Sequence, residues 1–291
     1  MKNEDFKNSV KRYFFITLEP VHIGTGDNCL GRVDNSIVRE PGSNLPKIPG
    51  TSLCGAARSY AAHYYNEIND KNGKNENSKI QNAFGTAADN GGSYAGEISI
   101  SDARIFLFPV YSLSGPVWVT TPSILKENRY NGFPNDISDN EAVTSWEDEK
   151  INIGWLLFNI KEVIEFQLKI KIPEQINNRI VIVNDKMFSQ IVNSNLEVRT
   201  SVAINPQTGA AQEGALFTYE AIPRATILWT ELVNHNFVRF KSNGDSESTD
   251  NVSSIEVVKK GLQMIEYFGV GGMVTRGFGR MRILKKENEN G

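Results

Sequence analysis

Cysteine is almost missing from this chain. Its 291 residues hold two, Cys29 and Cys54, too few for a disulfide framework or a four-thiolate zinc site. Two reduced thiols in a cytosolic protein is the simpler reading. Histidine is nearly as scarce: His22, His63 and His235 lie far apart, and no His-Glu-x-x-His metal motif occurs. Long apolar runs are missing too, since none approaches the roughly 20 residues that cross a bilayer. The first twenty residues are polar and charged and carry no apolar core of a secretory signal. Excess positive charge is also lacking, with 31 Lys+Arg against 34 Asp+Glu and a net charge of −3. A basic footprint over the whole surface is therefore excluded, and any nucleic-acid surface must be local. The expectation is a soluble cytoplasmic protein with no membrane partner.

What is present is ordinary globular material: 40% hydrophobic, 22% charged and 10% aromatic residues, enough for a sizeable core. Charge is segregated along the chain. Residues 131–150 carry six acids against Lys150, and 241–256 carry four against Lys241. Residues 269–286 reverse this, with Arg276, Arg280, Arg282, Lys285 and Lys286 and no acid. Residues 31–60 add Arg32, Arg39, Lys47 and Arg58 against Asp34 and Glu40. Most charge runs are merely solvated faces. Here the bases sit beside glycine-rich turns, an association that backbone-phosphate surfaces use.

Periodicity predicts strands at 13–19, 97–110, 117–120, 162–172 and 179–183. Residues 20–50 read as irregular. A helix is expected from Thr51, where Leu53, Ala56, Ala57, Tyr60, Ala61 and Tyr64 share one face and Thr51 or Ser52 caps the first turn. Residues 69–79 form a polar loop. A short helix follows Pro122, and 186–195 reads as a helix capped by Asp185. Residues 197–222 alternate on either side of Asn205-Pro206-Gln207-Thr208-Gly209 and read as a long β-hairpin. Residues 252–268 make a second strong helix, followed by the glycine-rich loop 269–279 and a basic strand. No linker divides the chain, so one domain over 1–291 is expected, α+β with an antiparallel sheet.

Chemistry is harder to read. The glycine cluster is no P-loop, because no Gly-Lys-Ser/Thr follows, and no dinucleotide fingerprint, because it leaves a helix and enters a strand. There is no Gly-x-Ser-x-Gly elbow. His22, Asp27 and Asp34 share a glycine-rich loop but form no triad, and either aspartate serves equally well as a turn residue.

Four stretches together carry a resemblance: HIGTGDNCLGRVDNSIVRE followed by KIPGTSLCGAARSY, then ISISDARIFLFPV with WVTTPS, then LEVRTSVAINPQTGAAQEGALFTYEAIP, and GVGGMVTRGFGR. The chain resembles the RAMP superfamily of CRISPR proteins, and within it the repeated backbone subunit of type III-B (Cmr) RNA-targeting complexes. The resemblance implies a modified ferredoxin-like (RRM-like) palm with insertions and a protruding hairpin thumb at about 197–222. It implies copies of the chain stacked along a guide RNA beside other Cmr subunits, each thumb displacing a nucleotide of the guide–target duplex. It implies an aspartate that cleaves single-stranded target RNA with a divalent metal such as Mg²⁺. The family's Gly-x-Val-Asp motif before Arg-Glu matches Gly31-Arg32-Val33-Asp34 and Arg39-Glu40, so catalysis and metal binding fall on Asp34, with Asp27 in reserve. RNA contacts are expected from His22, Lys47, Ser52, Arg58, Arg199, Arg276 and Arg280. Where the family commonly reads Ser-Leu-Lys-Gly, this chain has Ser52-Leu53-Cys54-Gly55, and a cysteine cannot neutralise a phosphate. Two rivals stay open: a non-catalytic RNA-binding scaffold, and an endonuclease trimming precursor guide RNA with His22 as base.

Overall fold

A computed structural model describes residues 9–28, 33–69, 78–86, 94–235 and 252–286. Its strands, in chain order, begin with β1 (Val10–Thr17), β2 (Gly24–Asn28), β3 (Asn35–Ile37), β4 (Lys47–Ile48), β5 (Gly85–Thr86) and β6 (Tyr94–Ala95). Next come β7 (Ile98–Ile100), β8 (Ala103–Val110), β9 (Val117–Thr120), β10 (Glu141–Thr144), β11 (Lys150–Ile153) and β12 (Leu156–Val163). The last are β13 (Ile180–Val183), β14 (Glu197–Ile204), β15 (Ala211–Ala221), β16 (Ile227–Asn234) and β17 (Met281–Ile283).

One sheet dominates, in the order β11-β12-β10-β13-β9-β8-β16-β1-β17, with β4 added to β8 and β7 to β16. The fold is α+β as expected, but the sheet is mixed: β10 runs parallel to β12, and β13 parallel to β9. Both of its faces are covered, and β1 shows why its sequence is nearly all apolar. Phe15 and Tyr13 enter one cluster while Phe14 and Ile16 enter the other, as alternation across a strand dictates.

The first face is covered by the helices Gly50–Asn69, Ser78–Phe84, Asp185–Ser194 and Ser254–Phe268, which contribute Leu53, Ile80, Phe188 and Leu262 among others. The two long helices approach so closely that a Cβ built on Gly261 would lie 2.1 Å from the Ala57 carbonyl oxygen. The second face is covered by Pro122–Glu127, Glu174–Asn177 and the chain around Phe166, Leu168 and Ile170.

Several expectations change. Residues 20–50 are not wholly irregular, since β2, β3 and β4 lie there. The alternation over 162–172 is real in burial but not in hydrogen bonding. The strand stops at Val163, and beyond it Lys169 N–H donates to the Tyr130 hydroxyl (3.2 Å) and Lys171 N–H to the Lys285 carbonyl (2.8 Å). The helix after β13 is capped by Asn184, whose Oδ1 accepts from Lys186 N–H, and Asp185 is its first residue. The helix expected from Thr51 starts at Gly50, whose N–H donates to Asp102 Oδ1 at 2.8 Å, a cap supplied from a distant strand end. Cys54 is free, and burial pushes its thiol pKa up. Cys29 and most of the loop expected at 69–79 lie outside the described residues. No described helix is long and apolar enough to cross a membrane.

Candidate functional site

The residues singled out in the sequence meet where three segments join. The chain leaving β1 is clamped between the hairpin base and the glycine-rich loop. Val21 and Ile222 exchange backbone hydrogen bonds at 2.9 Å, Gly279 N–H donates to the Pro20 carbonyl at 2.8 Å, and Gly272 N–H to the His22 carbonyl at 2.9 Å. Two glycines of that loop serve this packing. A Cβ on Gly271 (φ +88) would lie 2.5 Å from the His22 carbonyl oxygen, and one on Gly279 (φ +88) 2.3 Å from that of Val270. Close approach at left-handed backbone, not an open phosphate cradle, accounts for both.

A second sheet, β14-β15-β3-β2, joins the hairpin to the loop after β1. Its key contact links Asp34 to Thr218, 184 residues away. Thr218 donates its backbone N–H (2.7 Å) and its hydroxyl (2.9 Å) to Asp34 Oδ2, and Asp34 N–H donates to Thr218 Oγ1 (3.1 Å). Asn35 then pairs with Tyr219. The Thr218 backbone N–H, followed by its hydroxyl, holds the Asp34 carboxyl below the usual carboxylate range. The carboxylate is therefore ionised at neutral pH, exposed, and fixed to the hairpin strand.

Beside it, Glu220 forms a 2.7 Å ion pair with Arg39, which also donates to Asn193 Oδ1 (3.1 Å) on the Asp185–Ser194 helix. His22 is only 6% exposed, and its Nδ1 lies 2.6 Å from the Glu220 carbonyl oxygen. Tyr219 packs on Phe278 with ring centroids 5.6 Å apart, and its hydroxyl accepts from Ser201 Oγ at 3.1 Å. The hairpin base is thus fixed by a buried aromatic pair and a half-buried ion pair. Its outer part is open, with Val202 41%, Ile204 57% and Leu216 66% exposed.

The expected site residues do not all come together. Asp34, His22, Arg199 and Arg276 gather around the hairpin base: Arg199 pairs with Glu197 and lies over the Phe278 ring at 4.8 Å, and Arg276 lies over Phe217 at 5.7 Å. Arg280 is tied by its Nε to the Glu266 carbonyl oxygen at 2.8 Å and points toward Glu19 at 3.8 Å. Lys47, Ser52 and Arg58 lie at or on the Gly50–Asn69 helix. Lys47 is bound to Asp102 at 2.6 Å, so much of its charge is already compensated. Asp27 lies on β2, and its side chain is outside the described residues. Sequence reading missed Thr218 and Glu220. The alternation of Phe217 and Tyr219 in β15 placed both on the opposite face of the strand, the one signal that pointed to them.

Among the described residues no three His, Cys, Asp or Glu side chains converge as a metal cage. Asp34 offers a single carboxylate with one oxygen engaged by Thr218. That donor set fits a magnesium ion only in its substrate-sharing mode, with one carboxylate, water and phosphate oxygens.

The Thr218 contact gives a first prediction. In Thr218→Val the backbone N–H remains and the hydroxyl goes, so the Asp34 carboxyl should titrate at higher pH than in the wild type. Carbon-13 NMR titration of that carboxyl is the measurement, and an unmoved midpoint would show that the hydroxyl does not hold it. The sign for stability follows. A folded-state pKa below the unfolded one adds stability at neutral pH, which is lost as pH falls through the folded value.

The RAMP superfamily profile matches residues 14–282. The chain belongs to the RAMP superfamily. The CRISPR system Cmr endoribonuclease Cmr4 of Pyrococcus furiosus is 30% identical over 94% of this chain and 95% of its own length. A chain of the cryo-EM structure of the Type III-B Cmr-beta bound to cognate target RNA superposes with a TM-score of 0.69 at 18% identity, covering 94% of this chain and 96% of that one. Oligomeric Cmr4 from Pyrococcus furiosus superposes with a TM-score of 0.60 at 23% identity over 96% and 99%. These two structural likenesses establish the shared fold.

Proposed function

We propose that this chain is the repeated backbone subunit of a type III-B CRISPR ribonucleoprotein, binding guide RNA and cutting complementary target RNA beside its hairpin thumb. The end-to-end kinship with a Cmr endoribonuclease supports the class. The single structural observation that carries the reading is the attachment of Asp34 to the thumb strand through Thr218.

RNA carries its own nucleophile, the 2′-hydroxyl. In the proposed reaction its oxygen attacks the adjacent phosphorus as its proton passes to water, the bond to the 5′-oxygen breaks as that oxygen takes a proton from water, and the products are a 2′,3′-cyclic phosphate and a 5′-hydroxyl. The chain's main task is geometric: a thumb that splays one nucleotide can bring the hydroxyl in line with the phosphorus, a positional effect worth up to several kcal/mol. An ionised carboxylate with a depressed pKa is a poor general base, which favours an electrostatic role for Asp34. It would hold a divalent cation, Mg²⁺ or similar, together with substrate phosphate oxygens. When bound there, such an ion supplies charge stabilisation at the phosphate and lowers the hydroxyl's pKa. The precursor-trimming reading needs His22 as an accessible base, and its burial against Glu220 disfavours that.

The test is to purify the protein with its associated RNA, sequence that RNA, and challenge the assembly with a complementary strand. Cuts at regular intervals, 5′-hydroxyl ends and inhibition by EDTA are expected. Deleting residues 202–212, the exposed outer part of the hairpin, should leave the fold intact and abolish the regular spacing. Spacing unchanged by the deletion would rule out the wedge. Binding without any cutting would leave the scaffold reading.

A further inference from the structure

At the end of β1 opposite the Asp34 loop, three cavities run into one another along the edge of the large sheet. The largest, about 850 Å³, lies between β1, β17 and the Ser254–Phe268 helix. A second, about 340 Å³, shares Lys11, Arg12, Phe14 and Lys286 with it. A third, about 380 Å³, shares Arg129, Tyr130 and Lys169 with the second. The trough exists because β17 is short: it pairs only with Phe15–Thr17, and the first half of β1 is left at the sheet edge.

Its lining is strongly basic in a chain whose net charge is −3. Lys11, Lys259, Lys260, Arg282, Lys285 and Lys286 line the first cavity, and Arg12, Arg129 and Lys169 extend the run through the others. The acids of the lining are Glu165, Glu231, Glu256 and Glu266. Two of these are consumed, Glu231 by Arg12 at 2.5 Å and Glu266 by Arg282 at 2.7 Å. Among the described residues Lys11, Arg129, Lys169, Lys259, Lys285 and Lys286 form no ion pair with a carboxylate. A solvated face needs neither this concavity nor six lining cations that pair with no carboxylate among the described residues. At the mouth, Tyr267 is 72% exposed, a large aromatic surface with no core role.

We propose that this trough is a second RNA-binding surface, separate from the Asp34 site, which holds a single strand by its phosphates and stacks one base on Tyr267. The elongated, three-lobed shape suits a chain of phosphates better than a compact anion. The exposed ring favours RNA over an acidic peptide, because every base offers a face to stack on. RNA held in the trough need not be cut, so binding can be read in an Asp34→Ala background.

The experiment measures the affinity of RNA-stripped protein for a labelled oligouridylate across a salt series. Lys259→Ala/Lys285→Ala/Lys286→Ala is compared with Lys126→Ala/Lys150→Ala/Lys186→Ala, which removes equal charge elsewhere. The trough variant should bind about tenfold more weakly near 0.1 M salt and lose about 2 from its log–log salt slope, while the control stays within about twofold of wild type. Photo-crosslinking of wild-type assemblies, with thiouridine placed in either guide or target, should label Tyr267 or its helix and so identify which strand lies there. Identical slopes for the two variants would overturn the proposal. So would a trough variant that keeps its RNA affinity but no longer joins the other subunits, which would make the trough a protein-docking surface. An absence of any crosslink to residues 255–267 from either strand would also overturn it.

Discussion

Asp34→Ala should slow target cleavage by about 10²–10³-fold, the cost of losing one positioned electrostatic group. Target affinity should stay within about twofold, because one loop carboxylate adds little to an interface governed by many phosphate contacts. The two readings must be made on the same preparation: single-turnover cleavage at saturating protein, and equilibrium binding of an uncleavable target. Asp34→Asn separates charge from shape. It keeps an oxygen for the Thr218 N–H and hydroxyl but loses the negative charge, so it should fail almost as badly as Ala. If Asp34→Ala still cuts and Asp27→Ala does not, the catalytic carboxylate is Asp27. If neither matters, the chain is an RNA-binding scaffold.

The largest effect on stability is expected at Gly261, where two general rules oppose each other. Helix propensity alone says that Ala in place of a mid-helix Gly should add up to about 1 kcal/mol. Contact geometry says the reverse, because the added Cβ would meet the Ala57 carbonyl oxygen at 2.1 Å and the two long helices would have to part. Steric overlap against backbone has no flexible side chain to absorb it, so the geometric effect should win. Gly261→Val should cost about 3 kcal/mol, the upper part of the overpacking range, and lower Tm by roughly 6–10 °C. Gly55, in the partner helix, has nothing within 4 Å of its notional Cβ. Gly55→Ala should therefore be neutral or stabilising by up to about 1 kcal/mol. Thermal unfolding of Gly261→Ala, Gly261→Val and Gly55→Ala is the measurement, and a stabilised Gly261→Ala would show that the helices do not pack this way.

Elements with a strong internal period were legible from residues alone. The Ser254–Phe268 helix and the β14–β15 hairpin lie where periodicity placed them, to within two residues at each end. What failed was whatever depends on a distant partner. Strands β2 to β4 have two to five residues each; β4 exists because β8 pairs with it, β3 because β15 does, and β2 is held only through β3. Residues 164–172 alternate in side-chain burial yet find their backbone partners singly, so period 2 did not mean a ladder. Asp34 was reachable only through family resemblance, because a turn aspartate and a catalytic one look alike in sequence. For its partner Thr218 the alternation of β15 gives the face of the strand but not the contact with a residue 184 positions away. The acid-free run at 269–286 read as one patch, whereas folding divides it. Arg276 goes to the hairpin base, Arg280 to the end of the Ser254–Phe268 helix, and Arg282, Lys285 and Lys286 to the trough.

Fastening the carboxylate to the hairpin has a consequence for fidelity. In the proposed reaction the cutting carboxylate and the wedge would move as one body, because Thr218 ties Asp34 to the hairpin strand, so the phase of the cut would be indexed by the protein and not by the nucleotide it meets. Any spacer sequence threaded through the assembly would be scored at the same marks, like cloth against a ruler. A mismatch would be tolerated or rejected by whether it lets the wedge seat, not by which base stands at the scissile bond. Lengthening β14 and β15 by a matched pair of residues on the loop side of Thr218 would leave those marks in place, while moving Asp34 to a new partner on the strand would shift all of them together.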